Sequence, residues 1–153
     1  MSVLLLTTLV LLVLPLFLLF FFGTNAGVMF LAACAGIVLL SSLDPAVVTT
    51  AGAVVPGEGE AYIRLSVVML AIVLGAMMFR HTVKGPVLLA HVFVILFLAG
   101  TLWTLLPNVA GVSWLVESTN QSVWDTLSDF TSLIVSAGFV SGLVAVLARS
   151  KKH

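Results

Sequence analysis

His91 is the residue of this sequence best suited to proton or metal chemistry, because imidazole titrates near neutral pH and binds metals through either nitrogen. It stands in the apolar run Leu88-Leu-Ala-His91-Val-Phe-Val-Ile95, with no second His or Cys at i+3 or i+4 to complete a metal pair. A packed, hydrogen-bonded histidine is therefore expected there, and His81 and His153 likewise lack matched partners. Glu60 precedes Arg64 by four residues, the order that favours a helical ion pair. It reads as an interfacial anchor with Arg64 snorkelling outward; an anion contact or a salt bridge to a partner is the sharper alternative. Gly57-Glu58-Gly59-Glu60 offers carboxylates to a hard cation but falls well short of the 6–8 oxygens of a calcium cage, so a solvated turn is expected. Asn120-Gln121-Ser122 matches the glycan acceptor pattern, which arises often by chance. Cys34 is the sole cysteine and has no basic neighbour, so it reads as a small buried hydrophobe. The sequence contains no Walker loop, paired-histidine zinc motif or nucleophile elbow. It implies no enzyme and calls for no metal or cofactor.

Composition explains why so little chemistry is on offer. The chain has 153 residues, 61% of them apolar and 8% charged, against ~25% charged in an ordinary soluble domain. Mean hydropathy is +1.30. One packed core of this size could not hide so many apolar side chains from water, which excludes a soluble enzyme, a disordered tail and a nucleic-acid binder. The fold class is all-α: a polytopic transmembrane bundle forming a single integral membrane domain over 1–153, with the lipid bilayer as its first partner.

A helix needs about 20 apolar residues to cross ~30 Å of hydrocarbon. Spans are expected near 2–22, 27–43, 61–79, 87–106 and 130–148. The first run has no positively charged start and is longer than a signal-peptide core, so it is expected to remain as a helix, bent at Pro15. Asp44-Pro45 is a helix start and Pro56-Gly57 a stop. A helix over 45–55 would be roughly 16 Å long at 1.5 Å per residue, which predicts an interfacial or re-entrant segment. A sixth pass over 45–55 is the alternative. The 113–129 segment also reads as interfacial and amphipathic, with Asn120 or Ser122 capping a helix that runs on into the last span.

Loop charge sets the orientation. Arg80, Lys84, Arg149, Lys151 and Lys152 belong on the cytoplasmic side; all six acids, Asp44, Glu58, Glu60, Glu117, Asp125 and Asp129, then fall outside with Arg64. Tyr62, Trp103, Trp114 and Trp124 map to the same outer boundary as aromatic anchors. The amino terminus is expected outside and the carboxyl terminus in the cytoplasm of a cell that places the chain in its plasma or bacterial inner membrane.

No Asp or Glu lies within an expected span, so the carboxylate relay of proton-driven machines is missing. What the spans do carry is small residues four apart: Gly138/Gly142 with Ser132, Ser136 and Ser141, then Ala32/Gly36 and Ala71/Gly75. Such stripes let helix backbones approach, and the serines could add interhelical hydrogen bonds. The leading expectation is a non-enzymatic subunit acting by helix–helix association, as a scaffold in a larger complex or as a homo-oligomer, with one stripe to spare for other transmembrane helices. The alternatives are a passive channel between copies with an acidic outer vestibule, and receptor-like docking through 107–129.

Overall fold

The computed structural model describes residues 3–54, 59–79, 88–111, 116–117 and 119–147. Among them the chain forms α1 (Val3–Phe22), α2 (Ala26–Ser42), α3 (Pro45–Gly52), α4 (Gly59–Met78), α5 (Leu88–Ala110), α6 (Gln121–Asp129) and α7 (Thr131–Leu147), with no strand. Arg80, His81, Lys84, Arg149, Lys151, Lys152 and His153, on which most of the orientation argument rests, lie outside the described residues, as do Glu58 and Trp114.

The helix ends follow from residue chemistry. Gly23 closes α1 and Gly111 closes α5, at φ of 57° and 68°, the left-handed conformation that glycine takes without strain. Asp44 precedes Pro45 and so is steered out of the helical region; it is extended at φ −63°, ψ 124°. Its carboxylate accepts from the Ala46 amide at 2.9 Å, and α3 leaves α2 at 96°. With eight residues, α3 is about 12 Å long, too short to cross ~30 Å of hydrocarbon by itself. α6 starts by the same device, the Asn120 side chain accepting from the Ser122 amide at 3.1 Å.

Two expected boundaries are corrected. The helix capped by Asn120 does not run on, because α6 and α7 meet at an angle of 56°. Hydroxyls crowd that break: Ser128 donates to the Asp125 carbonyl at 2.8 Å and Thr131 to the Leu127 carbonyl at 3.2 Å, competing for acceptors that a straight helix would use. α5 does not end at Leu106 but passes through Pro107 to Ala110. A proline so near the end removes one backbone donor, and the final turn survives it.

α2 sits centrally against α4, α7 and α5; α5 also packs along α7, and α1 leans on α4 and α5. Met29, Phe30, Val68, Ile72, Ile95 and Leu98 are fully buried in the middle. α1 continues through Pro15, buries Leu18 and Leu19, and leaves Phe17, Phe20 and Phe21 exposed. By length and composition two helical stretches, Gly59–Met78 and His91–Asn108, can cross a membrane. The number rises to four if each bent pair, α2 with α3 and α6 with α7, counts as one span.

Candidate functional site

The small residues meet within the chain. α2 and α4 run antiparallel, so that a Cβ added to Gly75 would stand 2.7 Å from the Ala32 Cβ, and one added to Gly36 would stand 3.0 Å from the Ala71 Cβ. Ala32/Gly36 and Ala71/Gly75 are thus two halves of one contact. On α7, Gly138 lies beneath the Phe30 ring, and a side chain on Gly27 would overlap the Gly142 carbonyl. Each of the three stripes is occupied by a helix of the same chain. The serines add no bonds across these contacts: Ser141 donates to the Gly138 carbonyl of its own helix at 3.0 Å, and Ser132 and Ser136 are exposed. For Ser141, a carbonyl one turn back is simply nearer than a neighbouring helix.

The sequence reading passed over the residues that tie one end of the bundle together. Asn25 caps α2, its side-chain oxygen accepting from the Gly27 amide at 2.8 Å, while its side-chain NH2 donates to the Ala145 carbonyl of α7 at 2.9 Å. Thr24 donates to the Ala76 carbonyl of α4 at 3.1 Å. Both acceptors are backbone carbonyls near the ends of the described helices, Ala76 in α4 and Ala145 in α7. Thr24 and Asn25 are only 0% and 3% exposed, so each bond satisfies a group that water does not reach. The available signal was an Asn placed directly before an apolar run, a helix start as plain as Asp44-Pro45.

His91 belongs to the same end. Phe97 and Gly100 of α5 lie against Gly138 and Ile134 of α7. Counting back about 9 Å along α5 from Phe97, and forward about 10 Å along α7 from Gly138, places His91 level with Ala145. The ring is 3% exposed, and its Nδ1 has no hydrogen-bond partner. The histidine is packed as expected, and the expected hydrogen bond is missing at its Nδ1. Thr101 Oγ1, further along α5, is also unpartnered, whereas Thr104 donates to the Gly100 carbonyl at 3.0 Å. Among the described residues no group of three or more His, Cys, Asp or Glu could hold a metal ion.

The opposite end, beside α3 and α6, carries the charges of the described residues. Glu60 and Arg64 approach to 3.9 Å with both side chains substantially exposed, an i,i+4 pair that contributes about 0.3–0.5 kcal/mol. Asp125 accepts from the Gln121 side chain at 3.0 Å, and Asp129 is exposed at the end of α6. Every described Asp, Glu or Arg side chain is exposed or half-buried. Tyr62 is exposed and Trp124 half-buried. Trp103 does more than sit at a boundary: its indole N–H donates to the Thr119 hydroxyl at 3.3 Å, tying α5 to the segment that leads into α6. α3 is clamped from below, since Gly52 and Gly59 touch through their backbones and Val48 is buried.

Set beside known protein families, curated proteins and solved structures, the chain matches none of them.

Proposed function

We propose that this chain is a multi-pass membrane subunit without catalytic activity that works by helix–helix association, as an accessory or scaffold component of a larger complex or as a homo-oligomer. In this reading α1, α2, α4, α5 and α7 each cross the bilayer, with the amino terminus outside and the carboxyl terminus in the cytoplasm of a cell that holds the chain in its plasma or bacterial inner membrane. The observation that carries it is the division of side chains. Small residues and fully buried apolar ones close the interior, the described charges stand at one end, and large side chains such as Val38, Leu39, Leu70, Leu74, Leu133 and Val140 are exposed around the outside. An apolar perimeter that would be untenable in water is free, in a bilayer, to meet lipid or other helices. Because the small-residue stripes are taken up internally, partners would dock on these bulkier faces.

Native mass spectrometry of the chain ejected from its own membrane tests this directly. The expected result is a fixed stoichiometry above one chain, or a constant companion protein. A lone monomer that gentle cross-linking fails to join to anything overturns it. The rival with chemical support is a cation channel formed between copies, whose rim would carry Glu60, Asp125 and Asp129. Conductance in a planar bilayer that falls on Asp129→Asn replacement would replace the scaffold reading with that one.

A further inference from the structure

α6 has its two faces fully sorted. At 3.6 residues per turn, Val123, Trp124, Leu127 and Phe130 just beyond it occupy one arc of roughly 120°. Gln121, Ser122, Asp125, Thr126, Ser128 and Asp129 fill the rest. Among the described residues the apolar arc is covered only in part: Trp124 and Leu127 are half-buried, no residue of α6 is fully buried, and Val123 and Phe130 are 51% and 52% exposed. In α3, the other short capped helix, Val48 is turned into α4 and only 3% exposed. We propose that α6 is a lipid-binding element, lying along the bilayer surface with its apolar arc among the headgroups and first methylenes of neutral or zwitterionic lipids.

Three observations choose this occupant. α6 joins α7 through Phe130 alone, and α7 exposes Leu133, Phe139, Val140 and Val144. The apolar arc is therefore continuous with a surface that faces hydrocarbon. The polar arc, with its two carboxylates, keeps the helix out of the bilayer interior, and the 56° angle to α7 turns it away from a crossing. A second copy seated on α6 alone would gain too little: nine residues make a face about 14 Å long and about 10 Å wide. That is some ~140 Å² per partner, against ~800 Å² in a stable protein interface. The helix holds two acids and no base, so an anionic leaflet repels it, the reverse of the basic helices that bind such surfaces.

The inference rests on the chain being membrane-embedded and not on what the bundle associates with, so the two proposals fail separately. The test uses the full chain with Cys34→Ala, one molecule per phosphatidylcholine nanodisc. Single cysteines bearing nitroxides replace Ser122, Val123, Asp125, Leu127, Asp129 and Phe130 in turn. The labels at Val123, Leu127 and Phe130 are expected to favour oxygen over a water-soluble nickel chelate by about threefold or more relative to the other sites, as immersion in the interface requires. Phosphatidylglycerol discs are expected to remove at least about half of that contrast, and added salt to restore it. Equal seating in anionic lipid overturns the headgroup class. A contrast absent around the helix, or labels on the apolar arc shielded from both reagents by protein, overturns lipid binding itself.

Discussion

At the turn between α1 and α2, Thr24 and Asn25 send their side chains across to α4 and α7, at sequence separations of 52 and 120 residues. In α6 the same kinds of side chain stay at home: Gln121 bonds Asp125, Thr126 bonds the Ser122 carbonyl and Ser128 the Asp125 carbonyl, each within four residues. The difference lies in what surrounds the residues. Where helix ends converge in a dry interior, carbonyls of the neighbouring helices are the acceptors at hand, and bonding to them ties separate helices together. Where the helix lies open, the nearest acceptor is its own backbone, and the bond fixes only local shape. One end of the bundle is tied across helices by Thr24 and Asn25, and the other holds the described charges and the amphipathic helix.

The contrast can be broken most severely beside the tied turn. Gly27→Val drives a side chain into the Gly142 backbone and is expected to cost about 3 kcal/mol, the upper end of overpacking. It should lower the thermal midpoint in detergent sharply, while Ala35→Val, on an exposed position of the same helix, leaves it unchanged. Asn25→Ala removes a cap and an interhelical bond and strands the Ala145 carbonyl, an expected loss of about 2 kcal/mol. Asn25→Asp keeps the acceptor for the Gly27 amide and forfeits the donor, so it should recover part of that loss in the same melt. Asn120→Ala removes the equivalent cap at the open end, where the Asn120 side chain bonds only the Ser122 amide of its own helix. Its expected cost is about 0.5–1 kcal/mol, confined in hydrogen exchange to the amides of α6. His91→Leu has the opposite sign: replacing a buried ring with an unsatisfied nitrogen by an apolar side chain should raise stability by about 0.5–1 kcal/mol. The smallest effect belongs to Glu60→Gln, less than about 0.5 kcal/mol and fading with salt.

The helices themselves were legible because each is an apolar run bounded by residues that can do little else. Asp44-Pro45 announced α3, and the Glu60–Arg64 pair followed from spacing alone. The small-residue stripes were visible as patterns, yet their partners were not, since Ala32 against Gly75 is a fact about which helices are neighbours. Gly27 escaped notice for that reason: a lone glycine near a helix start gains meaning only when Gly142 arrives from 115 residues away. The end of α5 at Ala110 lay beyond the apolar run near 87–106, because a proline in a last turn does not stop a helix. The break at Phe130 depends on hydroxyl bonds whose competition with the backbone no periodicity displays. His91 was legible as a packed side chain, but the open Nδ1 was not, because it depends on which groups the neighbouring helices bring to the ring.

The central claim is that the small-residue stripes close the chain on itself and are not surfaces held in reserve for another subunit. Ala32→Cys combined with Gly75→Cys in a Cys34→Ala background tests it, because the structure brings those two positions of α2 and α4 into contact. Mild oxidation in native membranes is predicted to give an intramolecular disulfide, with the product still migrating as a single chain. Product of twice that mass, formed through the same two cysteines, would contradict the account.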